Sequence, residues 1–149
     1  MIEKETAIAA ERAKIAAVFI NRLRRKMKLE SDPTTIYGLT GGKSLLGREL
    51  TRADLQSTSP YNTYTAAGLP PGPICNPGRA SILAATNPAR ERSIYFVADG
   101  QGGHVFAVTV AEHNRNVEHW KDAQRRRQEQ QATPAPNPAT APPPAPARP

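Results

Sequence analysis

Two glutamates near the start of the chain, Glu3 and Glu5, are the residues best suited to acid–base chemistry. Apolar residues recur at helical spacing over residues 2–28, which predicts one continuous helix there. At about 100° per residue, Glu5 then lies beside Arg12 and close to the apolar stripe, whereas Glu3 lies on the solvated side. Because burial raises the pKa of a carboxyl group towards the value that a general acid needs, Glu5 is the candidate catalytic residue. The alternative is a structural carboxylate that pairs with Arg12 or favours the helix dipole.

A second group of candidates, in or beside turn-rich segments, could bind carbohydrate: Tyr37, Tyr61, Asn62 and Tyr64. Tyrosine rings stack on sugar rings, and amide side chains hydrogen-bond hydroxyl and acetamido groups. Packing of these tyrosines onto the core explains their presence equally well. His104 follows two glycines at the start of a predicted strand, where it could face a ligand or lie half-buried in the fold.

The composition excludes several other kinds of chemistry. A single cysteine, Cys75, excludes an internal disulfide and a cysteine-rich zinc site, and the three histidines lack the paired spacing of metal ligands. The sequence has no P-loop, dinucleotide-binding fingerprint or G-x-S-x-G nucleophile motif. No stretch approaches the ~18 consecutive apolar residues that a membrane helix needs. We therefore expect neither a metal nor a cofactor.

Positive charge dominates the chain, which has 149 residues and a formal net charge of +7. The basic residues cluster between residues 22 and 28 and again at residues 125–127. Such clusters suit a polyanion, such as nucleic acid, anionic lipid or an acidic cell-wall polymer, although solvated helix ends have the same composition. Few aromatic residues lie among the basic ones, which argues against nucleic acid.

The elements that must position these residues form an α+β domain. After the first helix, the sequence predicts two short helices at residues 34–36 and 52–56 and a longer helix at residues 79–86. It then predicts a hairpin of two strands at residues 93–98 and 104–108 around a glycine-rich turn, and a last helix at residues 110–130. Gly38 is expected to end the first of the short helices. Thr51 and Thr109 are expected to cap the second short helix and the last helix.

The end of the chain is a separate segment. Residues 132–149 hold eight of the fifteen prolines and otherwise mainly alanine. This composition cannot form a core, so we predict a disordered tail there. The foldable part is one domain at residues 2–122, followed by the basic end of the last helix at residues 123–131. Because no N-cap residue precedes the first helix, we also expect an upstream part that this sequence lacks.

Several motifs of the domain follow one another in a recognisable order. They are Glu3-Lys4-Glu5-Thr6, Ser31-Asp32-Pro33-Thr34-Thr35, Tyr61-Asn62-Thr63-Tyr64, Gly68-Leu69-Pro70-Pro71-Gly72, Asn76-Pro77-Gly78, Tyr95-Phe96-Val97-Ala98-Asp99-Gly100 and Gly102-Gly103-His104. His113-Asn114 follows in the last helix. In this order and spacing, the sequence resembles the catalytic domain of the membrane-bound endolytic murein transglycosylases, the YceG-like family, over about residues 2–120.

The resemblance implies an enzyme, a lytic transglycosylase. Such a carbon–oxygen lyase cleaves nascent peptidoglycan between N-acetylmuramic acid and N-acetylglucosamine. It leaves a 1,6-anhydro end without adding water, which terminates elongation of the glycan strand. The catalytic glutamate of the family corresponds to Glu5, and no cofactor is implied. The candidate substrate-binding residues that would form the walls of the cleft are Tyr37, Tyr61, Asn62, Tyr64, His104 and Asn114.

The resemblance also implies a location and partners. Family members carry a membrane helix and a LysM-like domain upstream, both missing here, and their catalytic domain faces the cell wall from the cytoplasmic membrane. Cell-wall synthases (penicillin-binding proteins) are the implied partners. Since Glu5 lies so close to the chain start, its turn is expected to fray, which would weaken or abolish activity. A peptidoglycan-binding module without turnover is therefore the second hypothesis, and a nucleic-acid-binding domain, based on charge alone, is the third.

Overall fold

The centre of the fold is one buried helix, α2 (Arg12–Arg24). The computed structural model describes residues 1–132, so the predicted tail from residue 133 onwards lies outside the described residues. The five consecutive residues 15–19 are each at most 6% exposed. A helix buried on successive positions must be covered on all sides, and α2 contacts elements from both halves of the chain.

The prediction of one helix over residues 2–28 is wrong, because the chain breaks at Thr6. A short helix, α1 (Ile2–Glu5), ends there, and a 3-10 turn (Ala9–Glu11) leads into α2. Apolar residues keep their helical spacing across the break, so the periodicity alone does not reveal it.

The side chain of Thr6 causes the break. Its backbone is extended (φ −144°, ψ 138°), and its hydroxyl accepts the N–H of Ile8 at 3.0 Å and donates to Glu11 at 2.9 Å. A hydroxyl that bonds nearby backbone competes with helical hydrogen bonds. The expected position of Glu5 beside Arg12 on a continuous helix is therefore not realised.

The hairpin is confirmed, with slightly shorter strands than predicted. The strands β1 (Tyr95–Ala98) and β2 (His104–Ala107) pair in antiparallel fashion, with Ala98 opposite His104. Asp99 holds the turn between them, because its carboxylate accepts two backbone N–H groups of the turn at 2.6 and 2.9 Å. This register fixes His104 beside the turn.

The helix α3 (Asp32–Thr40) is longer than the predicted residues 34–36. Gly38 does not end it, and the helix instead ends at Gly41, which is left-handed (φ 60°). At Gly38 a Cβ atom would lie 2.6 Å from the hydroxyl of Ser59. The glycine therefore permits a close approach of the following loop to α3, which composition cannot distinguish from a helix stop.

The two helices between α3 and the hairpin follow the sequence prediction closely. They are α4 (Arg52–Leu55) and α5 (Arg79–Thr86). The predicted cap of α4 is confirmed, since Thr51 and Asp54 form a reciprocal capping box. α5 packs against α2, so it covers one side of the core.

The last helix, α6 (Val110–Ala132), lies on the hairpin. Its predicted capping box is confirmed, because Thr109 accepts the N–H of Glu112 at 3.2 Å and donates its own N–H to the Glu112 carboxylate at 3.1 Å. The helix includes residue 132, which the sequence prediction assigned to the tail. None of the helices in residues 1–132 is both long and apolar enough to span a membrane. Together the helices and the two-stranded sheet confirm the α+β class.

Candidate active site

Glu5, the last residue of α1, lies in a cleft of about 510 Å³ bounded by α3, the hairpin and α6. The residues lining this cleft, called here the Glu5 cleft, include Glu5, Asp32, Tyr64, His104, His113 and Trp120. Ser31 donates a hydrogen bond from its hydroxyl to the Glu5 carboxyl. Three of the sequence-predicted site residues, Glu5, Tyr64 and His104, are thus brought together.

The surroundings of Glu5 favour its protonated form. Burial raises the pKa of Glu5 above its ordinary value, and the negative charge of Asp32 acts in the same direction. The hydrogen bond from Ser31 and a positive charge on His104 oppose this shift without cancelling it. A raised pKa moves a carboxyl group towards the range in which it can donate a proton to a leaving group.

The turn before α3 directs Ser31 towards Glu5. Glu30 adopts the left-handed conformation (φ 52°), which is uncommon for a residue other than glycine. Its N–H donates to the carbonyl of Thr63 at 3.2 Å, and the N–H of Ser31 donates to the Thr63 hydroxyl at 3.0 Å. Ser31 is only 2% exposed, so the two bonds to Thr63 fix its position in the interior.

Asn62 joins α3 to the end of α4 and the loop that follows it, inside the protein. Its exposure is 0%, and its amide nitrogen donates to the carbonyls of Leu55 at 3.0 Å and Ser57 at 2.9 Å. Its amide oxygen accepts the hydroxyl of Thr35 at 2.9 Å. Asn62 was expected to form a wall of the cleft, but it lies in a buried polar network. Its amide nitrogen and its amide oxygen are both hydrogen-bonded inside that network.

Tyr64 presents its ring to the Glu5 cleft and donates its hydroxyl to Asp32 at 2.6 Å. Burial raises the pKa of Tyr64, and the hydrogen bond to Asp32 raises it further. The phenol consequently stays neutral. Its ring is available for stacking on a sugar, while its hydroxyl holds the Asp32 carboxylate.

The other predicted binding residues lie elsewhere. Tyr37 and Tyr61 pack on each other with ring centroids 4.8 Å apart, and neither lines the Glu5 cleft. Tyr37 lines a separate cavity of about 730 Å³ together with Lys4. Asn114 is exposed on α6 and does not line the Glu5 cleft, whereas its neighbour His113 does.

Glu3 attaches α1 to the start of α5. Its carboxylate accepts the hydroxyl of Ser81 at 2.6 Å and the N–H of Gly78 at 3.0 Å. These two hydrogen bonds, that from Ser81 first, lower the pKa of Glu3 below its ordinary value. Glu3 stays at the surface, as expected, but it also has defined partners that are distant in sequence.

Glu11 was missed by the sequence prediction and lies against His104. It accepts the backbone N–H of His104 at 2.8 Å and contacts the ring nitrogen Nδ1 at 2.9 Å. Burial alone would raise the pKa of Glu11, but hydrogen bonds from His104 and Thr6 lower it overall. No signal in the sequence could have paired residues that are 93 positions apart.

Comparison with known proteins identifies the family. Residues 1–119 match the YceG-like family. The chain belongs to this family. It is 44% identical over 118 residues to an endolytic murein transglycosylase of Bacillus subtilis (strain 168), a match that covers 79% of this chain and 32% of the relative. It is 38% identical over 123 residues to an endolytic murein transglycosylase of Streptococcus pneumoniae serotype 2 (strain D39), covering 78% of this chain and 22% of the relative.

A crystal structure of a YceG-like protein from Listeria monocytogenes resembles the chain with a TM-score of 0.70 and 43% sequence identity. The similarity covers 76% of this chain and 36% of the Listeria chain. The chain therefore spans about a third or less of the length of the curated relatives it matches. Apart from Trp120, the residues that line the Glu5 cleft all lie within the region that matches the YceG-like family.

Arg22 belongs to the frame of this YceG-like site. The sequence places it in a basic cluster suited to a polyanion, but it is only 7% exposed. Its guanidinium donates to the carbonyls of Ile94 at 2.6 Å and Lys28 at 3.0 Å, and to the Glu30 carboxylate at 2.9 Å. Arg22 thus joins α2, the turn before Ser31 and the strand region in one network.

Metal binding has no support in the part of the YceG-like chain that the structure describes. Residues 1–132 contain no group of three or more His, Cys, Asp or Glu side chains arranged to hold a metal ion.

Proposed function

We propose that this chain carries the catalytic centre of a lytic transglycosylase acting within the glycan strands of peptidoglycan. The observation that carries the proposal is the carboxyl of Glu5, which is buried in a cleft and keeps a raised pKa. Membership of the YceG-like family and relatives called endolytic murein transglycosylases support the substrate class. The bond to be cleaved links N-acetylmuramic acid to N-acetylglucosamine.

In the first step, protonated Glu5 donates its proton to the glycosidic oxygen. The bond between C1 of N-acetylmuramic acid and that oxygen breaks, and N-acetylglucosamine leaves as an alcohol. The 6-hydroxyl of the same muramic acid then bonds to C1, and its proton passes to the Glu5 carboxylate. Glu5 ends in its starting state, no water is consumed, and the product carries a 1,6-anhydro ring.

One carboxylate suffices because the nucleophile belongs to the substrate. A hydrolysing glycosidase needs a second carboxyl group to activate water or to attack C1. Here the 6-hydroxyl is held next to C1 by the sugar itself, so proximity replaces that second group. Asp32, the other carboxylate beside Glu5, is engaged by the hydroxyl of Tyr64 and raises the pKa of Glu5.

The test is mass spectrometry of purified glycan strands after incubation with the protein in ¹⁸O-labelled water. The proposal expects anhydro ends without ¹⁸O, and their loss in Glu5→Gln. Glu118→Gln, which removes an exposed carboxylate on α6, is the matched control and should leave the products unchanged. Reducing ends that carry ¹⁸O would indicate hydrolysis by Glu5 and Asp32. Strand binding without any product from the unmodified protein would indicate a binding module.

The proposal extends to location and partners. The full-length protein acts at the cytoplasmic membrane with this domain facing the cell wall, beside a cell-wall synthase whose strands it trims. A substrate made of nascent strands supports this, because such strands exist where they are synthesised. Cross-linking of the full-length protein in growing cells should capture a penicillin-binding protein, and capture of none would contradict the partner.

A further inference from the structure

The mechanism above leaves one partly buried acid–base pair unused, Glu11 with His104. Both side chains are nearly enclosed, at 14% and 15% exposure. The Glu11 carboxylate receives three hydrogen bonds, one from the hydroxyl of Thr6, one from the backbone N–H of His104 and one involving the His104 ring. His104 also lines the Glu5 cleft, so the pair connects the interior to the site.

The contacts determine which nitrogen of His104 carries the proton in the neutral ring. Oε1 of Glu11 accepts the backbone N–H at 2.8 Å, and Oε2 lies 2.9 Å from Nδ1. An ionised carboxylate only accepts hydrogen bonds, so the hydrogen of the second contact belongs to Nδ1. The other nitrogen, Nε2, is then an acceptor, and none of the described residues hydrogen-bonds it.

The close contact between Glu11 and His104 requires that position 103 has no side chain, as in Gly103. A Cβ atom at Gly103 would lie 2.9 Å from Oε1 of Glu11 and 2.8 Å from the carboxylate of Asp99. Any other residue would displace one of these two carboxylates. The glycine next to His104 therefore serves the contact between Glu11 and His104 as well as the turn.

We infer that Glu11 is a positioning residue that holds His104 in the Nδ1–H tautomer, so that Nε2 accepts a hydrogen bond from a sugar bound beside Glu5. The donor is a hydroxyl or amide N–H of the glycan, and this identity rests on the proposed function. Three carboxylates surround His104, those of Glu11, Glu5 and Asp99, and only Glu11 bonds the ring.

Glu11→Gln is a sharp test because it reverses the tautomer at nearly constant shape. The glutamine oxygen takes the Oε1 position because the backbone N–H of His104 can only donate, whereas the hydroxyl of Thr6, which donates to Oε2, can rotate and accept. The glutamine NH₂ group then faces Nδ1 and can only donate, which makes Nδ1 an acceptor. The ring must protonate Nε2 instead, so Nε2 changes from acceptor to donor.

The first measurement is long-range ¹H–¹⁵N correlation NMR of the His104 ring, recorded above the pH at which the ring loses its charge. We expect an Nδ1–H tautomer in the unmodified protein and an Nε2–H tautomer in Glu11→Gln. An Nε2–H tautomer in the unmodified protein would overturn the inference. This readout does not depend on turnover, so it stands even if the proposed function fails.

The second measurement tests contact with the sugar in the Glu5→Gln protein, which cannot turn over. Addition of a purified glycan-strand fragment should shift the ¹⁵N resonance of Nε2 towards the value of a hydrogen-bonded acceptor. Saturating glycan that leaves this resonance unchanged would refute the contact, whereas wild-type anhydro products would still uphold the proposed function.

The third measurement is turnover. His104→Asn keeps an N–H donor near the position of Nδ1 and removes the acceptor at Nε2. In both His104→Asn and Glu11→Gln, kcat/KM should fall at least about tenfold, which is a small effect for a group that contacts the reacting sugar. Glu118→Gln is again the control. Folded His104→Asn protein with unchanged kcat and KM would contradict the role of Nε2.

Discussion

The two faces of α1 carry the same side chain in opposite surroundings. Glu3 meets donors at the start of α5, Ser81 and Gly78, and these hydrogen bonds lower its pKa. Glu5 faces the cleft, where burial raises its pKa despite the hydrogen bond from Ser31. Glu3 and Glu5 are two residues apart on one helical turn, yet Glu3 has a structural role and Glu5 is the candidate acid.

The difference shows that donors and burial, not residue type, decide what a carboxylate does. A carboxylate that accepts strong hydrogen bonds at the surface is stabilised in its charged form, and it ties elements together. A carboxyl group that loses water without gaining enough donors holds its proton, and it becomes a candidate acid.

The largest effect is expected from Glu5→Gln compared with Glu3→Gln. Loss of the acid should reduce the release of anhydro products at least about 100-fold, as for removal of a general acid. Ser81 and Gly78 donate to the same oxygen of Glu3, so Glu3→Gln can retain an acceptor for both donors and should lose far less. The measurement is the initial rate of product release for both variants. Equal losses would break the contrast between the two faces.

Removal of Arg22 should destabilise the network that joins α2, the turn before Ser31 and the strand region. Arg22→Met leaves the carbonyls of Ile94 and Lys28 without their donor, and we expect a loss of about 3 kcal/mol in the free energy of unfolding. Urea unfolding measures this loss. Arg24→Met, which removes an exposed arginine of the same helix, is the control, and an equal loss in the control would contradict a special role of Arg22.

Asp32→Asn should shift the pH dependence of turnover. The charge of Asp32 raises the pKa of Glu5, so its removal lowers that pKa. In the proposed mechanism protonated Glu5 is the active form, so the activity lost as pH rises should then be lost at a lower pH. The profile of kcat/KM against pH measures this shift. Asp122→Asn on the exposed side of α6 is the matched control, and a shift to higher pH in Asp32→Asn would refute the coupling.

The smallest effect is expected in the pH dependence of stability. The lowered pKa of Glu3 means that its contribution is present above the ordinary carboxyl pKa and is lost as pH falls through the folded value. The raised pKa of Glu5 means that its contribution is present at low pH and is lost as pH rises through the folded value.

Thermal unfolding between pH 3 and pH 8 separates the two faces, with this range chosen to span the ordinary carboxyl pKa of about 4. Glu3→Gln should lower Tm mainly at the upper end of the range. Glu5→Gln should lower Tm less at the upper end than at the lower end, or raise it there. Parallel curves for both variants would show that the two carboxylates titrate alike.

Local signals allowed much of the fold to be predicted. The hairpin, α5 and the caps at Thr51 and Thr109 follow from turn residues, capping residues and strand patterns that act within a few positions. The continuous first helix was wrong because a single hydroxyl, that of Thr6, outweighs the apolar periodicity. Gly38 was misassigned because a glycine that permits a close contact looks the same in sequence as one that ends a helix.

The candidate site was predictable only in part. Glu5, Tyr64 and His104 line one cleft, as the sequence suggested, although the argument that placed Glu5 on a continuous helix was wrong. The partners that set their chemistry, Ser31 and Glu11, were missed. They come from segments that are distant along the chain, and no spacing rule links them. Catalytic roles for all of these residues remain predictions.

The break at Thr6 has a consequence for how the domain can evolve. The side chains of Glu3 and Glu5 attach the α1 turn to the rest of the domain, and the turn does not form one continuous helix with α2. Ile2 of the same turn also packs against the core cluster of Ile15, Phe19 and Leu29. A substitution at the buried Ser81 or Ser31 removes a hydrogen bond that orients one carboxylate, whereas a substitution in the cluster moves the whole turn. Tolerance of change around the acid should therefore follow both kinds of attachment.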